Sequence, residues 1–79
     1  MTQFSRESDG LAAYLAQRVR ELRQAAGLSQ LELSRRAFGY PWHDRLSGIE
    51  RGARGMTAVA LCRLARALGR GLDEFFPGG

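Results

Sequence analysis

The chain contains no lysine. Its twelve basic side chains are all arginines, and eight acids leave a net charge of +4. An arginine excess suits a polyanion such as nucleic acid, although this charge alone also fits an ordinary soluble domain. The charge is not gathered into a basic tail. Five arginines against three acids, a net +2, fall between residues 29 and 55. Cysteine occurs once, at Cys62, which excludes an intramolecular disulfide and a multi-cysteine zinc site. Histidine also occurs once, at His43, which weakens any metal reading further. No apolar run approaches the roughly 18 residues of a membrane span, and MTQFSRESDG lacks a signal-peptide pattern, so a cytoplasmic location is expected. Neither an alternating strand pattern nor an internal repeat is present. With 79 residues the sequence is one small domain, with little room for a deep enclosed pocket and good reason to use a partner subunit.

What is there is helical periodicity. Residues 1 to 8 are polar and aperiodic, and a flexible tail is expected over residues 1–10, with the folded domain over 11–76. Leu11, Leu15, Val19, Leu22 and Ala26 then recur at three- and four-residue spacing, predicting an amphipathic helix that Gly27 stops. Ser29 opens S-Q-L-E, a capping box in which the hydroxyl accepts from the Glu32 N–H while the Glu32 carboxylate reaches back. A short second helix follows over about residues 30 to 38, with Leu33 and Ala37 inward and Gly39 at its end. Pro41 fits the first position of a third helix over about 41 to 51, with Trp42, Leu46 and Ile49 on its inward stripe. Thr57 is placed to cap a fourth helix whose stripe is Leu61, Leu64, Ala65 and Leu68, ended by Gly69. LDEFFPGG adds one more turn before Pro77. Cys62 flanks the stripe of the fourth helix and reads as a small buried hydrophobe.

The stretch GYPWHDRLSGIERG raises one chemical question. His43, Asp44 and Ser47 are close enough in sequence to suggest a compressed catalytic triad. On a helical wheel that starts at Trp42, Leu46 lies at ~40° and Ile49 at ~340°, beside it on one stripe. Ser47 then falls at ~140°, Arg51 at ~180°, Asp44 at ~200° and Gly48 at ~240°, on the opposite side. His43 sits on a flank at ~100°, so Asp44 points away from it, and no oxyanion donors are in sight. No catalytic residue, metal or cofactor is assigned. The wheel favours a capped helix, a glycine-containing turn and a second helix with an outward polar face, which is a helix-turn-helix.

Three segments, RVRELRQAAGLSQLELSRRA, LSGIERGARG and LCRLARALGRGLDEFF, resemble the phage repressor/Cro-like, or Xre-type, helix-turn-helix proteins. The likeness covers roughly residues 15 to 76, and the joint spacing of GLSQ, IERG and LARALG carries it. It implies an all-α fold, a compact lambda-repressor-like domain of four to five helices. Here the stretch between Gln30 and Ile49 is two residues longer than the family's usual spacing, with the extra length around residues 38 to 41. Ser34 stands where a small alanine is usual, and Gly39 falls one place late.

The resemblance implies a structural pair between Arg23 and Glu50, and the wheel agrees by placing Glu50 at ~80°, at the edge of the inward stripe. It also puts Gln30 near a phosphate or beside the start of the third helix. His43, Asp44, Arg45, Ser47 and Gly48 are the third-helix positions expected to face or flank a DNA groove, with Arg51 and Arg54 on phosphates. Arg45 has the reach to grip a guanine edge. Tyr40 either packs in the turn or contacts a phosphate, and Trp42 is expected in the core with its indole N–H at the rim. Leu72, Phe75 and Phe76 place large apolar groups on a terminal turn and are assigned to a homodimer interface. The function expected is a DNA-binding transcriptional regulator acting as a homodimer on a (pseudo)palindromic operator in double-stranded DNA. The size and the SGIER segment look like controller proteins of restriction–modification systems. The rival reading is an antitoxin of this fold that covers a toxin protein and autoregulates its operon.

Overall fold

The computed structural model describes residues 2–52, 54 and 56–76, with side chains from residue 10 onward. Among them four α-helices and one 3-10 turn occur in the order α1 (Thr2–Ala25), α2 (Gln30–Phe38), α3 (His43–Gly52), α4 (Ala58–Leu68) and a terminal turn (Leu72–Phe75). The described residues form no strand. The fold is all-α.

Helix α1 starts at Thr2, so the segment read as a tail continues the helix backward from Leu11. Its inward stripe is Ala16, Val19 and Leu22, with Leu15 half-buried. Leu11 is largely exposed and Ala26 lies past the helix end, so the two outer members of the sequence stripe do not reach the core. Gly27 takes the left-handed conformation at φ +72° and lets the chain turn back. There the Gly27 N–H donates to the Gln24 carbonyl and the Leu28 N–H to the Arg23 carbonyl, both at about 3.0–3.1 Å, satisfying two of the carbonyls that a helix end leaves open. Leu28 is thereby tucked into the core as the chain enters α2.

Helix α2 begins with both halves of its capping box made. The Glu32 N–H donates to Ser29 Oγ at 3.0 Å, and the Ser29 N–H donates to a Glu32 carboxylate oxygen at 2.9 Å. The Ser29 backbone N–H and then its hydroxyl hold the Glu32 carboxyl below its usual pKa. The helix buries Leu33, Ser34, Ala37 and Phe38 and stops at Gly39, whose φ of +77° closes the turn with its N–H on the Arg35 carbonyl.

The connection to α3 differs from the sequence expectation. The Trp42 N–H donates to the Tyr40 carbonyl at 2.8 Å, closing a three-residue turn around Pro41. The Trp42 carbonyl is then the first helical acceptor, from the Leu46 N–H at 3.0 Å. Pro41 therefore lies outside the helix, and Trp42 sits on its rim, 42% exposed rather than in the core. Thr57 caps α4 through its hydroxyl, and that helix buries Ala60, Leu61, Leu64 and Ala65. Leu68 is only partly covered. Cys62 is exposed on the opposite face of α4, not buried, because it falls between the two inward pairs. One apolar core joins all five elements: Val19 and Leu22, Leu33 and Phe38, Leu46 and Ile49, Leu61 and Leu64, and Phe75.

Candidate nucleic-acid interface

Helix α3 carries the chemistry. Leu46 and Ile49 are fully buried and Glu50 nearly so, which turns the opposite side of the helix to solvent. That side presents His43, Asp44 and Arg51, with Ser47 and Gly48 half-covered between them. The Asp44 side chain is 97% exposed, and its Oδ1 lies 3.3 Å from His43 Nε2. The His43–Asp44 contact corrects the wheel, which points Asp44 away from the imidazole. Two adjacent flexible side chains at a helix start can meet across the first turn. Among the described residues no hydrogen bond brings Ser47 to either of them, so the three do not form a nucleophile–base–orienter chain. Asp44 lies in the first turn of α3, where a carboxylate complements the helix dipole.

A buried ionic network sets the orientation of α3. Arg23 on α1 donates from Nε to Glu50 Oε2 at 2.7 Å and from Nη2 to Oε1 at 3.1 Å. Its remaining terminal nitrogen, Nη1, donates to the Leu28 carbonyl at 2.8 Å. The Glu50 side chain is 3% exposed and that of Arg23 13%, so the bidentate pair works in a poorly solvated gap. Gln30 adds a third donor, its amide nitrogen reaching Glu50 Oε1 at 3.2 Å. The residue singled out for a phosphate is thus half-buried at the start of α2 with its amide nitrogen turned onto α3. Helices α1, α2 and α3 meet at one carboxylate.

At the leading end of α3, the exposed turn carries an aromatic set that the sequence reading did not assemble. Tyr40 and Trp42 stack with ring centres 5.0 Å apart and planes 17° from parallel, and Phe38 lies 5.8 Å beyond Trp42. The Arg45 guanidinium sits 5.3 Å from the Trp42 ring and 5.7 Å from the Phe38 ring. A cation in this geometry gains about 0.5–1 kcal/mol at an exposed site and loses freedom of movement. The i, i+4 spacing of Phe38 and Trp42, with Arg45 three residues on, was the available signal. The intervening turn hid it.

At the other end, the Arg54 N–H donates to the Gly48 carbonyl at 3.3 Å, holding the loop after α3 against the helix. A Cβ on Gly48 would meet only the Arg54 Cβ at 3.6 Å, an ordinary contact, so packing does not require glycine there. Arg51 and Arg54 are both exposed at this end.

The terminal turn departs from the interface expectation at one residue. Phe75 is fully buried in the chain's own core and cannot serve a partner. Its place is fixed from α1, where Arg18 Nε donates to the Glu74 carbonyl at 3.0 Å. Leu72 and Phe76 remain substantially exposed beside it.

The family model described as a helix-turn-helix domain matches residues 14–75. The chain belongs to that family, whose members are DNA-binding regulators in class. Neither the curated proteins nor the solved structures compared with it give a match. Among the described residues no helix is long and apolar enough to cross a membrane.

Proposed function

We propose that the protein is a sequence-specific transcriptional regulator that binds a (pseudo)palindromic operator as a homodimer, acting in the cytoplasm. The observation that carries this reading is the division of α3 into a locked face and an open one. Leu46, Ile49 and Glu50 fix the helix to α1 and α2, while His43, Asp44, Ser47 and Arg51 project outward with Arg45 at their edge. A rigid helix with a polar outer face, supported by a second helix across it, is the geometry that enters the major groove.

In this reading Arg45 contacts a guanine edge, Asp44 accepts from a cytosine amine or stabilises the start of α3, and His43 and Ser47 read neighbouring positions. Gly48 allows close approach of the backbone. Arg51 and Arg54 hold phosphates, while Gln30 acts from behind α3 through its bond to Glu50. Leu72 and Phe76 supply the apolar contact between two copies, which sets two reading helices about 34 Å apart. A restriction–modification controller is the narrower role that the SGIER segment supports.

The test is a binding-site selection on wild type and three variants. Arg45→Ala flattens preference at one operator position at a cost of about 1–3 kcal/mol, whereas Arg54→Ala keeps the consensus and lowers the salt slope by about one unit. A consensus unchanged by Arg45→Ala but altered by His43→Ala shifts the reading role within α3. Indifference to every α3 substitution refutes the proposal. For assembly, sedimentation of wild type and Phe76→Asp at tens of micromolar is decisive: dimer and monomer are expected, and two identical monomers would refute the interface.

A further inference from the structure

On the side of the molecule formed by α2 and α4 lies an open groove of about 760 Å³ to which α3 contributes no residue. Ala37 of α2, Ala58, Cys62 and Ala65 of α4 and Leu72 of the terminal turn give it an apolar lining, and Val59 stands among them 63% exposed. Arginines form its walls: Arg36 from α2, and Arg63 and Arg66 one turn apart on α4, with Arg70 beyond the helix end. Their charge is only partly answered within the chain. Arg70 meets Glu74 at 3.3 Å, and Arg36 lies one helical turn after Glu32. Among the described residues neither Arg63 nor Arg66 makes a salt bridge.

We infer that this groove is a docking site for an acidic amphipathic helix of a partner protein. The argument is one of complementarity. An apolar strip between two arginine walls matches a helix with an apolar stripe at i, i+3, i+4 and i+7 and carboxylates along both flanks. Guanidinium groups grip carboxylates in two-pronged fashion and tolerate partial burial better than ammonium groups. A second copy of the chain is a poor occupant, since none of α1 to α4 carries more acids than arginines. A duplex backbone leaves the apolar lining uncovered. Leu72 lines the groove and Arg63 also lines a cleft with Arg45, so a partner helix borders both the proposed dimer contact and the edge of α3.

The single cysteine of the chain is exposed in the lining of the groove and reports on its occupancy. The experiment measures the alkylation rate of Cys62 in the full chain while titrating a synthetic helix of about 16 residues, with leucine in the stripe and glutamate on its flanks. The expected result is protection of the thiol, by about tenfold at saturation, with nuclear magnetic resonance shifts confined to α2, α4 and residues 70–72. Arg63→Glu with Arg66→Glu weakens the peptide at least about tenfold, and Arg36→Glu on the opposite wall also weakens it, each fold checked by circular dichroism. A peptide of equal charge with its leucines scattered leaves the thiol reactive. Equal protection by the scattered peptide, or no protection by either, overturns the inference. Protection by non-operator duplex DNA alone assigns the groove to nucleic acid, and protection that grows with protein concentration alone assigns it to a second copy. Either result overturns it too.

Discussion

Replacing Glu50 by alanine removes three accepted hydrogen bonds at once, from Arg23 Nε, Arg23 Nη2 and Gln30 Nε2. The Arg23 guanidinium keeps only its bond to the Leu28 carbonyl, in a site where its side chain is 13% exposed. Water reaches it poorly. The cost is therefore dominated by the stranded cation and should reach about 3 kcal/mol. In a domain of this size each kcal/mol moves the melting temperature by roughly 4–8 °C, so Tm falls by about 12–24 °C. Substituting both partners by apolar residues of similar volume, Arg23→Met with Glu50→Leu, takes the charge away from both sides. That double variant recovers much of the loss, leaving about 1 kcal/mol for the Leu28 carbonyl and the Gln30 amide, which then lack their partner. Thermal and urea unfolding of wild type, Arg23→Met, Glu50→Leu and the double variant complete the cycle. A double loss smaller than the sum of the two single losses by at least about 2 kcal/mol is expected. Single effects that add to within about 0.5 kcal/mol would show that the pair contributes nothing as a pair, and would refute the argument that it orients α3.

Two further changes test neighbouring features of the same helices. Ser34 is fully buried and its hydroxyl has no hydrogen-bond partner, so Ser34→Ala should raise stability by about 1 kcal/mol through relief of desolvation and better helix propensity. A higher urea midpoint at unchanged slope is the expected result, and a lower midpoint would show that the hydroxyl is satisfied. Glu32 has its pKa depressed by the Ser29 N–H and hydroxyl, so the stability it contributes is present above its unfolded value and lost as pH falls through the folded one. The advantage of wild type over Glu32→Gln in urea midpoint should shrink between pH 7 and pH 3. An advantage independent of pH would show that the carboxylate charge is not engaged in the cap.

The helices were legible where one local rule dominated. Ser29 with Glu32 and Thr57 before an apolar run each place a helix start, because a short side chain that can satisfy orphan N–H groups leaves a recognisable spacing. Gly27, Gly39 and Gly69 mark three ends for the same reason of backbone freedom. Legibility failed where two rules competed. Pro41 satisfies the preference for a first helical position, yet the Tyr40–Trp42 hydrogen bond starts the helix two residues later than that preference implies. Cys62 neighbours Leu61 in sequence but lies about 100° from it around the helix, enough to carry it from the core to the groove. Phe75 looked available for a partner because its spacing from Leu72 and Phe76 carries no facing information in so short a turn. The Arg18 bond to the Glu74 carbonyl, from far away in the chain, helps seat that turn against α1.

The candidate site depends on how the long turn is absorbed. Leu33 and Phe38 before it, and Leu46 and Ile49 after it, all reach the same core, while Glu50 is tied to Arg23 and Gln30. With both helices pinned, the turn between them projects outward. It emerges as the exposed Tyr40–Trp42 stack. The consequence for α3 is specific. A solvated arginine at position 45 would sample many rotamers, whereas here two aromatic rings offer its guanidinium a face. If Arg45 reads a base, part of the entropy of ordering it has already been lost in the free protein, which favours binding through preorganisation. On that reading Trp42 acts on recognition through Arg45. The turn is a determinant of what α3 presents, although none of its residues lies on the outer face of that helix.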